Sequence, residues 1–391
     1  MNFFADTSFF VFLTIIMCIA AWLGIHEKPL KRFGLGASVF MLFWLFFRTP
    51  IEGIYAAAYV VLSALMTQWV WQKPKSKIRL QIALVCALVP LVVSKITQTY
   101  ATNILGFMGI SYVTFRVVQV LIETKDGLTT AMDLADYVYF LIFFPTFTSG
   151  PIDRSRRFQE DLDRTLPKGE YEGMLAKGIL LIMIGMVYNI VFATIARTYW
   201  VPETWAQYGE DFWLALWRQI RNAYAYGLYL FFDFAGYSMM AMGTGYALGI
   251  KVPRNFKAPF VATSITDFWN RWHITLSTWL RDFVFMRLAR WMIEHKTFSG
   301  KNRRLHTAQA ALIIDMVVMG FWHGPTVEYV CYGLYHGILL ALEQSWEKTK
   351  FYKKHRHRTI YRIISWFIVI QLVFFGFAIF NGQISLLLGG A

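Results

Sequence analysis

Long apolar runs follow one another from one end of the chain to the other, parted by short polar breaks. Each is close to the roughly 20 residues that a helix needs to cross a hydrocarbon core. They fall near residues 7–24, 33–49, 54–72, 80–98, 103–120, 134–149, 174–197, 223–249, 308–323, 326–346 and 362–380. The pattern predicts an all-α, polytopic integral membrane protein with about eleven transmembrane helices (range 10–13), plus re-entrant or interfacial helices. The runs at 103–120, 134–149 and 308–323 are shorter or more polar, which predicts broken or re-entrant helices there. The first run reads as a retained span, because MNFFAD has no basic stretch before it and no small-residue cleavage site follows Gly24.

Composition agrees with the pattern. Hydrophobic residues make up 57% of 391 and aromatics 18%, with a mean hydropathy of +0.43, more than a soluble core requires. The longest polar stretch, 153–172, is too short to be a domain, and no repeat or flexible linker divides the chain. A single membrane domain over 1–391 is expected.

The net charge of +14 is concentrated in blocks at 27–32, 73–79, 287–304 and 348–358. By the positive-inside rule these blocks face the cytoplasm, which puts the amino terminus outside and the uncharged tail after residue 380 outside as well. An even number of crossings would follow, so either the tally of eleven is one off or the tail is inside. The last two blocks are read as anchors on anionic lipid or as a docking surface for an acidic cytosolic partner, and no nucleic-acid partner is expected.

Several chemistries are excluded early. Cys18, Cys86 and Cys331 are scattered within apolar runs and make neither a disulfide framework nor a ligand set. No phosphate-binding loop, GxSxG elbow, HExxH zinc motif or dinucleotide fingerprint occurs in a supporting context.

Charged and polar groups inside apolar runs remain, and each marks a functional-site hypothesis because it is expensive there. They cluster in SGPIDRSRRF (149–158), FFDFAGYS (231–238), DFWNRWHITLSTWLRDF (267–283) and FWHGPTVEYVCYGLYHG (321–337), with Asp315 just before the last. Gly324-Pro325 should stop the preceding helix at His323, since proline lacks an amide donor and restricts its predecessor. A helix end at membrane depth is tolerated where it lines a wet cavity. There a neutral imidazole is placed to take a proton from an attacking hydroxyl, which fits acyl transfer to an alcohol. A metal site is not expected, because His26, His295, His306, His355 and His357 sit in basic polar loops away from the apolar histidines.

MGFWHG (319–324), FFDFAGYSMMAMG (231–243), SGPIDRSRRF (149–158) and DFWNRWHITLSTWLRDFVF (267–285) together resemble the signatures of the membrane-bound O-acyltransferase (MBOAT) family, over roughly residues 135 to 345 and in the family's order. The resemblance implies a ring of helices around a thinned centre, with a funnel from outside meeting a tunnel from the cytoplasm. It implies two catalytic histidines: His323 in its WHG context as general base, and His273 in its RWH context positioning the acyl carbonyl or the acceptor. Asn270 and Arg271 are weaker candidates for that positioning role, and Arg271 with Arg281 and Asp282 equally reads as a structural ion-pair set. Trp322, His336 and Asp233 are further substrate or tunnel candidates; His336 does not align with the catalytic histidine, and Asp233 reads first as a structural carboxylate.

Within the family the wording is most similar to the branch that D-alanylates teichoic acid in Gram-positive cell membranes. That branch implies an acidic cytosolic D-alanyl carrier protein presenting its thioester on phosphopantetheine, no permanently bound cofactor, lipoteichoic acid as acceptor outside, and a possible accessory membrane protein. The other enzymatic reading is O-acetylation of a surface polysaccharide. The non-enzymatic one is a transporter using the same groups as a proton relay, for which no inverted repeat is visible. Residues 281–294, RDFVFMRLARWMIE, suit an interfacial helix with Phe283, Met286, Trp291 and Ile293 open to lipid or partner and Arg287 and Arg290 beside them, a candidate docking surface for the carrier.

Overall fold

The computed structural model describes residues 7–100, 103–199 and 211–383. Among these every regular element is helical. In chain order they are α1 (Thr7–Ile25), α2 (Lys31–Phe46), α3 (Pro50–Gln72), α4 (Lys77–Gln98), α5 (Ile110–Lys125), α6 (Leu134–Ile142), α7 (Ser155–Leu162), α8 (Lys168–Met186) and α9 (Ala193–Tyr199). Then follow α10 (Phe212–Ala247), α11 (Ile265–Trp269), α12 (Ile274–Leu280), α13 (Met286–Glu294), α14 (Arg303–His323), α15 (Val327–Trp346), α16 (Lys350–His355) and α17 (Thr359–Phe380).

Six stretches, Ser8–Ile25, Pro50–Gln72, Lys77–Gln98, Lys168–Tyr199, Arg303–His323 and Thr359–Phe380, are long and apolar enough to cross a bilayer by length and composition. Two other expected spans fall on shorter elements: α2 has 16 residues, and α5 begins only at Ile110; those at 223–249 and 326–346 fall on the 36-residue α10 and the 20-residue α15. The run at 134–149 is broken, nine residues of α6 giving way to a 3-10 turn at Phe144–Thr146 that contains Pro145. The run at 308–323, by contrast, is continuous. It forms the second part of the 21-residue α14, which starts earlier, at Arg303, so the expected break there is corrected. The amino terminus and the tail after Gln383, both expected outside, lie outside the described residues.

The helices sort into two compact units, Met1–Val187 with Gly236–Arg254, and Tyr188–Ala235 with Asn255–Ala391. In the first, a buried guanidinium completes the broken helix. Arg116 donates to the carbonyls of Phe140 (2.8 Å), Leu141 (2.9 Å) and Thr146 (2.7 Å), filling acceptors that a helix end leaves open. Small residues set the approach of α8 to α10: a Cβ on Gly178 would lie 2.7 Å from the Gly243 carbonyl oxygen, and one on Gly185 2.7 Å from that of Gly236. Asp153, from the SGPIDRSRRF stretch, is buried here and paired with Arg157, so that charge cluster holds a turn. The second unit contains both histidine motifs.

Candidate active site

The second unit is organised by the hairpin of α14 and α15. α14 ends at His323, where the Gly-Pro break stops it, and α15 restarts at Val327. The two backbones touch because glycines face them. A Cβ on Gly320 would fall 2.2 Å from the Tyr329 carbonyl oxygen, one on Gly333 2.3 Å from that of Met316, and one on Gly337 2.8 Å from the Ile313 Cα. Close backbone approach of this kind is how membrane helices associate where no hydrophobic driving force separates helix from lipid. The hairpin presents a half-buried His323 ring against Trp322 (4.5 Å between centroids), Phe380 (4.9 Å) and Tyr329 (5.8 Å).

His273 is positioned differently, by strain and by strapping. Its backbone is left-handed, φ 43° and ψ 49°, a conformation that costs an L-residue with a Cβ about 1–2 kcal/mol. The neighbouring turn holds it there. The Ile274 amide donates to the Asn255 carbonyl (2.9 Å), the Thr275 hydroxyl to Asn255 Oδ1 (2.5 Å), and the Lys257 amide to the Arg271 carbonyl (3.0 Å). Strained backbone of this kind persists only where surroundings over-determine it, which is common at functional sites. The imidazole is buried, 4% exposed, and meets the edge of Phe234 at 4.7 Å; its Nδ1 has no hydrogen-bond partner.

The two catalytic candidates come together. Trp322, expected only as a packing or tunnel residue, contacts His273 at 6.3 Å and His323 at 4.5 Å between ring centroids. The imidazoles also lie within electrostatic reach of each other. The other candidates separate into groups. Asn270 is exposed and lines a cavity of about 230 Å³ bounded by α11, α12, α14 and α15. Arg271 is tied to Asp267 (2.7 Å) and to the Lys257 carbonyl (3.3 Å), which makes it part of the strap that holds His273. Arg281 pairs separately with Asp282 at 2.9 Å, so the three charges do not form one set.

Asp233 accepts a hydrogen bond from Asn189 at 2.7 Å, and its neighbour Phe234 supplies the ring on His273. His336 is fully buried among Trp269 (5.2 Å), Tyr332 (4.7 Å) and Tyr335 (5.2 Å) and does not line the cavity. α13 leaves Met286, Trp291 and Ile293 exposed, with Arg290 beside Glu294 and Arg287 over the Phe283 ring at 5.9 Å. Phe283 itself is buried, 8% exposed, because the wide π-helical turn at Arg281–Phe285 rotates it inward; its expected place on the open face is corrected.

Phe234 and Asn255 were not singled out from the sequence. Phe234 carried a signal, standing next to Asp233 in FFDFAGYS. Asn255 carried none, since its role depends on an encounter with residues about twenty positions later.

The profile of the membrane-bound O-acyltransferase family, MBOAT, matches residues 29–385. A Bacillus subtilis (strain 168) protein named teichoic acid D-alanyltransferase is 36% identical over 96% of this chain and 96% of its own length. A Streptococcus thermophilus protein of the same name is 40% identical over 76% of this chain and 74% of its own. A Pseudomonas syringae protein named probable alginate O-acetylase AlgI is 33% identical over 72% of this chain, and the match covers 50% of that longer protein.

Proposed function

From the premise that this multi-pass membrane chain belongs to the membrane-bound O-acyltransferase family, we propose that it transfers D-alanine from a carrier-bound thioester to teichoic acid. The carrier is a small acidic cytosolic protein that presents the thioester on phosphopantetheine. The acceptor is a hydroxyl of lipoteichoic acid on the outer side of a Gram-positive cell membrane, reached directly or through an accessory membrane protein. The amino terminus faces outside, as the charge distribution implies.

The observation that carries this reading is the convergence of His273 and His323 on Trp322 at the carboxyl end of α14. His323 acts as general base. It takes the proton from the acceptor hydroxyl while that oxygen attacks the thioester carbonyl. The C–O bond forms, a tetrahedral oxyanion develops, and the C–S bond breaks. The proton then passes to the departing sulfur, leaving an ester and a free thiol. His273, fixed by its strapped turn, donates to the oxyanion or positions the carbonyl, a contribution that is large because the donor is oriented beforehand.

The D-alanyl reading is preferred to polysaccharide O-acetylation on length. The match to the B. subtilis protein named for D-alanyl transfer covers 96% of both chains, whereas the match to the acetylase covers half of that protein. The test is transfer in membrane vesicles holding the full chain, with carrier protein loaded with radiolabelled D-alanine. Label passing to a teichoic acid acceptor supports the reading. Acetyl transfer from an acetyl donor, with no D-alanyl transfer, overturns it.

A further inference from the structure

α14 carries one carboxylate between its basic start and His323. Asp315 is 7% exposed, and the buried Oδ1 has no hydrogen-bond partner, although the side chain accepts from the Phe285 amide. A carboxylate at membrane depth is costly unless something satisfies it. Asp315 lines the cavity of about 230 Å³ already described, several times the roughly 30 Å³ that a water occupies in the liquid and so large enough for a small acyl group. The same cavity is lined by Ile274, which follows His273, and by Met319, one turn before His323. Arg281 lines it too, but its ion pair is with Asp282.

We infer that Asp315 receives the ammonium group of the aminoacyl donor within this cavity, and so selects an aminoacyl thioester over a plain acyl one. The inference rests on the D-alanyl reading above. A D-alanyl thioester differs from other small acyl thioesters in the α-ammonium, two bonds from the carbonyl carbon. In a cavity walled mainly by apolar side chains that charge needs a partner, and Asp315, on the cavity wall, has a buried oxygen that no protein donor satisfies. The eight residues from Asp315 to His323 span about 12 Å of helix axis, a length that an ion pair, the aminoacyl group and the acceptor hydroxyl fill in series. Asp315 is thus a specificity residue that moves no proton of the reaction.

The experiment uses vesicles holding the full chain and the carrier protein loaded through the same phosphopantetheine arm with either D-alanyl or propionyl, which lacks only the amino group. Wild type should favour D-alanyl on the order of ten- to hundredfold, the worth of a charged hydrogen bond. Asp315→Asn should lose that preference by slowing D-alanyl transfer while leaving propionyl transfer near wild type, and Asp315→Glu should retain part of it. Equal use of both donors by wild type overturns the inference, as does a parallel fall of both rates in Asp315→Asn; if that variant fails to insert, the wild-type ratio and the Glu variant decide. The D-alanyl reading fails in a different arm, where wild type transfers neither carrier-bound donor but does accept an acetyl donor, and the inference falls with it.

Discussion

His273 and His323 share one indole: Trp322 lies 6.3 Å from the first imidazole and 4.5 Å from the second, although fifty residues separate the two histidines in the chain. One histidine arrives at the end of a glycine-packed hairpin and the other on a strained turn, so the pair is assembled by two independent devices. The devices fail differently when mutated.

His273 combines a chemical role with a left-handed backbone that few residue types accept. Asn tolerates that conformation and valine does not. His273→Asn should therefore insert and melt like wild type while turnover falls about a hundred- to a thousandfold, the range seen when an oxyanion donor is lost. His273→Val should lower thermal stability as well. Melting in detergent and transfer rate, measured on the same preparations, separate the two effects. Wild-type turnover in His273→Asn would remove the residue from the mechanism.

His336 is a packing residue in this account, fully buried and enclosed by Trp269, Tyr332 and Tyr335. Replacing it with alanine leaves a hole of the kind that costs about 2–5 kcal/mol for large buried side chains. His336→Ala should lose thermal stability but keep more turnover per folded molecule than alanine at His273 or His323. Greater sensitivity at His336 than at either would mean that the hairpin histidine has been misassigned.

The carrier is expected at α13, where exposed Met286, Trp291 and Ile293 supply apolar contact and Arg287 and Arg290 supply steering. Reversing both charges, Arg287→Glu with Arg290→Glu, should weaken carrier binding, most at low salt, because exposed charges are screened over about 8 Å at physiological ionic strength. A carrier pull-down that stays the same across salt concentrations would reduce α13 to a lipid-facing helix and move docking to the basic block at 348–358.

Which parts of this were legible in the sequence follows from the range of the forces involved. The stop at His323 was readable because proline acts on its own helix. The broken run at 134–149 was readable for the same reason, Pro145 lying inside it. The continuity of α14 was not, since Asp315 made that run look polar and only its cavity and the Phe285 amide accommodate the charge. Pattern alone placed Phe283 on the open face; a π-helical turn, which changes the angular period, put it inside. Asn255 and the strap on His273 depend on contacts between segments, and no local pattern encodes those.

The most direct measurement is the D-alanyl ester content of teichoic acid in cells whose only copy of this protein is His323→Ala, with membrane level checked by immunoblot. The account predicts wild-type insertion and ester content at the level of cells lacking the protein altogether. Near-normal ester content in that variant would contradict the assignment of His323 as the general base.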